Sequence, residues 1–259
     1  MVYLVLFLLG LSAGSFLSVV VYRLRAGEAV WAGRSHCDFC RKKISWYDNI
    51  PLLSYCLLKG KCRYCRRKIP PEYPLTELVI GLEFVWIYWL LTVNYKFWGT
   101  WEGGYSLALL IYWLVLFSGS LAIAIYDFKY LLIPDLLLWP LIVLTGLRLL
   151  VTGQWQYLTV AAAAAGFLAL LWLITKKRGL GTGDIELGLL MGLVLGYPKI
   201  IAAFFLAFLT GALAGVILIL VKKKQLRDRI AFGPFLIAAM LAAKLWGDLI
   251  WQWYQRVLL

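Results

Sequence analysis

Two aspartates stand where the sequence otherwise keeps acid out of its apolar segments. Asp127 closes the run Ala122-Ile-Ala-Ile-Tyr-Asp127, and Asp184 opens another through Gly181-Thr-Gly-Asp184. An ionisable group at membrane depth is costly, which makes it a functional candidate by default. Two carboxylates brought together can share one proton. The ionised one takes a proton from water and the other donates to a scissile carbonyl, as in aspartic proteases. Gly181 and Gly183 would let the backbone approach an extended substrate and permit positive φ. Considered alone, Asp184 also reads as a helix cap beside a glycine turn. Asp135, the competitor for a place in the pair, follows Pro134, and that order marks a helix N-terminus.

A second set of residues could hold a metal. Cys37-Asp-Phe-Cys40 and Cys62-Arg-Tyr-Cys65 are two C-x-x-C turns separated by 21 residues. Tetrahedral zinc takes four thiolates at about 2.3 Å, and each turn supplies an adjacent pair. Basic neighbours such as Arg34, Arg41, Lys42, Lys43, Lys61, Arg63, Arg66 and Arg67 would offset the charge of the four-thiolate centre. The alternative is disulfides or free thiols, and a cytosolic location argues against disulfides. Residues 23–74 are too few to bury a generous core, so a metal staple makes physical sense. Cys56, in an apolar stretch, is expected to be a small core residue. His36 has no call on a ligand position already filled by four cysteines.

The elements that must position these residues are membrane helices. The 259-residue chain is 63% hydrophobic with mean hydropathy +0.82, far from a soluble domain of that length. A bilayer crossing needs roughly 20 mainly apolar residues. Eight runs qualify or nearly so, at about 2–22, 75–93, 105–126, 133–151, 157–174, 185–197, 199–221 and 233–255. The sixth is short and is expected to begin inside the protein. The first leads into Tyr22-Arg-Leu-Arg25 and reads as a span rather than a cleaved signal.

With the N-terminus outside, 23–74, 127–132, 175–184 and 222–232 face the cytosol and hold most of the 26 Lys and Arg residues. The opposite connections hold little more than Lys96 and Lys199, with Arg256 at the tail, so the positive-inside rule favours this orientation. Both aspartates then lie at the cytosolic face. The net charge of +13 is accounted for by topology and anionic lipid, and nucleic acid is not expected as a partner. Lys244 and Asp248, one turn apart, suggest an ion pair within the last span. Ala161–Ala165 suggests a close-packing face in the fifth.

The expected fold is therefore an all-α polytopic membrane protein of about eight transmembrane helices. A small cytosolic zinc-ribbon-like insert lies between the first and second. The expected parts are 1–22, a first span; 23–74, the insert; and 75–259, a seven-helix membrane domain.

The sequence resembles the type IV prepilin peptidases, bifunctional leader peptidase and N-methyltransferase enzymes of pilus, secretion and competence systems. Gly14-Ser-Phe-Leu-Ser-Val-Val-Val-Tyr-Arg-Leu24, the cysteine turns, Ile44-Ser-Trp-Tyr-Asp-Asn-Ile-Pro-Leu-Leu-Ser54 and Gly60-Lys-Cys-Arg-Tyr-Cys65 carry the first half. Tyr73-Pro-Leu-Thr-Glu-Leu78, Asp127-Phe-Lys-Tyr-Leu-Leu-Ile-Pro-Asp135 and Gly181-Thr-Gly-Asp184 carry the rest. The chain departs from the family pattern at Ser18 (commonly Asn), Arg25 (Pro), Asp38 (Pro) and Glu186 (often Lys).

The resemblance implies Asp127 and Asp184 as a protease dyad in the bacterial cytoplasmic membrane. The implied substrate is a prepilin or pseudopilin with a short basic leader and an apolar helix. It also implies methylation of the new N-terminal amine by S-adenosylmethionine, with Glu77, Gly60 and Lys61 as the residues nearest that chemistry. Read from its surroundings alone, Glu77 could equally be an interfacial acid. Gly-x-Gly-x-x-Gly is absent, so the methyl-donor site is not of the common dinucleotide type. The competing classes are a transporter or channel with a regulatory zinc ribbon, and a related intramembrane aspartyl protease with another substrate.

Overall fold

The computed structural model describes residues 1–31, 33–93, 107–176, 179–221 and 230–258. Eight long helices occupy the eight apolar runs: α1 (Val2–Ala26), α3 (Glu72–Val93), α4 (Leu107–Tyr130), α5 (Asp135–Thr152), α6 (Gln156–Ile174), α7 (Thr182–Leu195), α8 (Lys199–Leu220) and α9 (Gly233–Leu258). A one-turn helix, α2 (Leu53–Leu57), and a 3-10 turn at Trp46–Asn49 belong to the insert. There is no strand among the described residues, only two isolated bridges. Seven of the helices are long and apolar enough to cross a membrane.

The chain divides into two compact units, Met1–Ser118 and Gly119–Leu259, with the boundary inside α4. In the first, α1 packs along α3. Small residues allow the approach: a Cβ on Gly14 would lie 2.7 Å from the Cα of Glu77, and one on Gly81 would lie 2.8 Å from Leu11 Cδ2. Gly27 ends α1 in the left-handed conformation, φ 68°, with its N–H on the Arg23 carbonyl. Arg23, expected in a water-facing loop, is instead buried. Its guanidinium donates to the carbonyls of Ala29, Val30 and Gly33. Such packing closes the chain reversal into the insert.

The insert is built twice. Ser35-His-Cys-Asp-Phe-Cys-Arg-Lys-Lys-Ile44 and Gly60-Lys-Cys-Arg-Tyr-Cys-Arg-Arg-Lys-Ile69 match at an offset of 25, and their hydrogen bonds repeat. The amide of Cys37 donates to Lys42, Arg41 to Cys37 and Ile44 to Ser35; Cys62 donates to Arg67, Arg66 to Cys62 and Ile69 to Gly60. Arg41 and Arg66 both adopt positive φ, 57° and 60°. Contacts between the halves are exchanged reciprocally. Lys42 Nζ lies 5.2 Å from the Tyr64 ring centre and Arg67 Cζ lies 5.0 Å from that of Phe39. Arg63 grips Asp48 through two bonds of 2.8 and 2.6 Å, while Tyr73 donates to Asp38 at 3.0 Å.

In the second unit α7 is the hub, contacted by α5, α6, α8 and α9. Its 14 residues span about 21 Å at 1.5 Å per residue, less than a bilayer core. Leu187, Leu190 and Met191 have no exposed surface, as expected of a helix begun inside the protein. Gly188 faces Leu168. Gly192 lies so close to α6 that a Cβ there would sit 2.8 Å from the Ala161 nitrogen. Of the alanine run of α6, Ala161 and Ala164 form the close-packing face, while Ala162 and Ala163 are exposed.

Two expectations need correction. Asp127 lies inside α4, which continues to Tyr130, because a helix ends where its backbone bonds end rather than where hydropathy falls. Cys56 is exposed; α2 is too short to cover it. Asp248 lies within electrostatic reach of Lys244 and also pairs with Lys199 of α8 at 2.7 Å, a contact across helices that spacing along α9 does not reveal. Lys96 and the basic stretch 222–229 lie outside the described residues.

Candidate active site

Asp127 sits in the last turn of α4 and Asp184 in the first turn of α7. Both belong to the second unit, both are buried, at 5% and 8% exposed, and they lie within electrostatic reach of one another. Each has one oxygen committed to a glycine amide. Gly181 N–H donates to Asp184 Oδ2 at 2.7 Å, and Gly233 N–H donates to Asp127 Oδ2 at 2.9 Å. The first bond is the return half of a capping box, the Glu or Asp side chain reaching back to the N-cap amide. Asp184 therefore caps its helix while lying within electrostatic reach of Asp127, so a capping role does not exclude a second one.

Neither glycine of the Gly181-Thr-Gly-Asp184 motif uses positive φ. Gly181 is extended at φ −89° and Gly183 is helical. What Gly183 needs is space, since a Cβ there would lie 2.8 Å from Ile133 Cβ. Asp135 begins α5 after an N-cap at Pro134, as its sequence context indicates. Glu186 lies within reach of the Asp135 charge. Its Oε2 is enclosed, with no hydrogen-bond partner among the described residues. Gly233 was not singled out from sequence; the Gly-Pro pair opening the last run was the available signal.

In the first unit the Sγ atoms of Cys37, Cys40, Cys62 and Cys65 all lie within 4.8 Å of one another, with Cys37 and Cys65 at 3.9 Å. Thiolates at about 2.3 Å from a tetrahedral ion stand about 3.8 Å apart, so the four sulfurs fit a metal. Burial disfavours ionisation of the Cys62 thiol. Hydrogen bonds from the Cys65 and Tyr64 amides and from the Cys37 and Cys65 thiols outweigh it and bring the pKa down to about 7, favouring the thiolate that a metal binds. His36 contacts Arg41 and Glu28, away from that role.

A cavity beside this cluster is lined by α1, the insert and the start of α3, including Ser15, Tyr22, Asp38, Tyr55, Tyr73 and Glu77. Glu77 is buried and accepts the Leu52 amide at 2.9 Å and a bond from Ser15. Leu52 has φ 59° and ψ −47°, and Leu53 N–H donates to Pro51 O at 2.6 Å. Those features define a γ-turn of the rarer, strained hand. Gly60 and Lys61 do not line the cavity. Gly60, φ 67°, backs onto the Tyr55 ring, and Lys61 bridges to Lys68, both of which do line it. Glu83 of α3, unremarked in the sequence, accepts the Ser118 hydroxyl at 3.1 Å.

Known proteins agree with this division of the chain. A bacterial peptidase A24 N-terminal domain matches residues 8–91, and the type IV leader peptidase family matches 114–216. The prepilin leader peptidase/N-methyltransferase of Aeromonas salmonicida (strain A449) is 35% identical over 98% of this chain and 94% of its own. The protein of that name from Bacillus subtilis (strain 168) is 34% identical over 98% of both chains. That from Pseudomonas aeruginosa is 34% identical over 95% and 91%. No solved structure matches. With relatives this similar over nearly their whole length, and the two aspartate motifs and four cysteines in place, the chain belongs to the type IV leader peptidase family.

Proposed function

We propose that this protein cleaves the leader from prepilins or pseudopilins with an Asp127–Asp184 dyad, then methylates the new N-terminal amine. The observation that carries the protease half is the pair of buried carboxylates in one helical unit, each with one oxygen tied to a glycine amide. Like charges at short range resist joint ionisation. One carboxyl then takes the proton of the attacking water while the other donates to the scissile carbonyl. The names of the relatives support the substrate class, and the basic connections support placing the dyad at the cytosolic face of the bacterial inner membrane. There a leader in water meets a substrate helix in lipid.

The second activity is assigned to the cavity of the first unit. S-adenosylmethionine supplies an activated methyl group. The chain supplies Glu77 to hold the substrate amine and accept its proton, with Tyr22, Asp38 and Tyr73 as further polar groups around it. Gly60 and Lys61 act through Tyr55 and Lys68, the neighbours they hold. Cys37, Cys40, Cys62 and Cys65 would hold zinc, which would tie together the two halves of the insert and so the cavity walls. The separation of the two activities is testable with Glu77→Gln. Cleavage of a prepilin should continue at the wild-type rate while methyl incorporation from labelled S-adenosylmethionine stops. Normal methylation by that variant removes Glu77 from the site.

A further inference from the structure

A helix leaves its first amides without acceptors inside the helix, and the preceding residue normally answers with a side-chain oxygen. Before α9 that residue is Phe232, which has none to offer. Pro234 has no N–H, and the amides of Phe235 and Leu236 turn back to the Phe232 carbonyl at 3.0 and 3.1 Å. The Gly233 amide instead donates to Asp127 Oδ2, 106 positions away, in a buried setting. Asp127 caps α9 from a different helix. Only glycine admits this contact, because a Cβ on Gly233 would lie 2.7 Å from the same oxygen and 3.2 Å from Cγ.

We infer that Gly233 is a positioning residue for Asp127. Its N–H occupies Oδ2 and fixes the plane of the carboxyl, which leaves Oδ1 to meet the water. Gly181 does the same to Asp184, so among the described residues each acid has one oxygen held by a glycine amide and the other left to point into the site. Proton transfer requires the receiving oxygen to be held within hydrogen-bond reach, and a displacement of about 1 Å can cost about 100-fold in rate. Pro234 contributes by offering no amide of its own, and with the Phe235 and Leu236 amides turned to the Phe232 carbonyl, Gly233 is left as the donor to Asp127. This role rests on the reading of Asp127 as a member of the dyad.

The test uses the purified full-length protein, a prepilin substrate and three variants: Asp127→Asn, Gly233→Ala, and a backbone ester at 233 made by incorporating glycolic acid. The ester removes the N–H without adding a Cβ. Monodisperse elution and the melting temperature report the folded fraction, so kcat refers to folded protein. The expected result is that the ester lowers kcat on the order of 10- to 100-fold with KM within about twofold, and that Gly233→Ala is slower still. A lower melting temperature with wild-type kcat in the ester, beside an inactive Asp127→Asn, overturns the positioning role and leaves a structural cap. Normal cleavage by Asp127→Asn overturns the dyad reading itself, and the role of Gly233 with it.

Discussion

The two aspartates carry two duties each, and the duties can be separated by substitution. Asn keeps a side-chain oxygen able to accept the Gly181 or Gly233 amide but cannot exchange a proton. Asp127→Asn and Asp184→Asn should each reduce cleavage by about 1000-fold or more, with melting temperatures near wild type. Asp184→Ala loses the cap as well and should cost about 1 kcal/mol of stability, read from thermal unfolding in detergent. A destabilised but active Asp184→Asn would mean that the carboxylate serves only the helix. The sequence exposed both aspartates, because acid at the edge of an apolar run is conspicuous. It did not expose Gly233, whose partner lies in another helix. Nor did it show that the Gly181-Thr-Gly-Asp184 glycines answer crowding by Ile133 and a capping need rather than positive φ.

Elements show why this chain needs small residues and how its four cysteines come together. The four-cysteine insert has two equivalent halves whose aromatic and basic side chains are exchanged, so each half completes the other. Removing any one sulfur should therefore loosen both. Cys40→Ser and Cys65→Ser, the matching positions of the two halves, should each lower bound zinc well below about one per chain and depress methylation, measured by metal analysis and labelled methyl transfer. Retention of full zinc by either variant would refute the four-cysteine centre. Within the second unit, Gly192→Val should destabilise by about 2 kcal/mol or more, because the obstacle is Ala161 backbone. Gly188→Ala should cost less, since it meets the end of the flexible Leu168 side chain. Melting temperatures of the pair check the order. The number of long helices was legible from hydropathy but not their ends, since α1 and α4 run on past their apolar stretches, and the hub position of α7 was half-legible from its shortness. The duplicated insert was present in the sequence as a 25-residue repeat, but the exchanged contacts of Arg63 with Asp48 and of Tyr73 with Asp38 depend on how the halves face each other.

At the scale of the whole molecule, the family was readable because several short motifs occur in order on a matching topology, whereas the division inside α4, which keeps α3 with α1 and the insert, is a result of packing. The placing of chemistry within each part follows from packing that no motif contains. Glu77, buried against Leu52 and Ser15, belongs to one compact unit, and Asp127 and Asp184 belong to the other. The account thus assigns two reactions to two separate sites in one chain. The most direct test is mass spectrometry of the N-terminus of a prepilin incubated with S-adenosylmethionine and either the wild-type protein or Asp184→Asn. The account predicts a leader-sized mass loss and one added methyl group with wild type, and an intact, unmethylated substrate with Asp184→Asn. Leader removal at the wild-type rate by Asp184→Asn would contradict it.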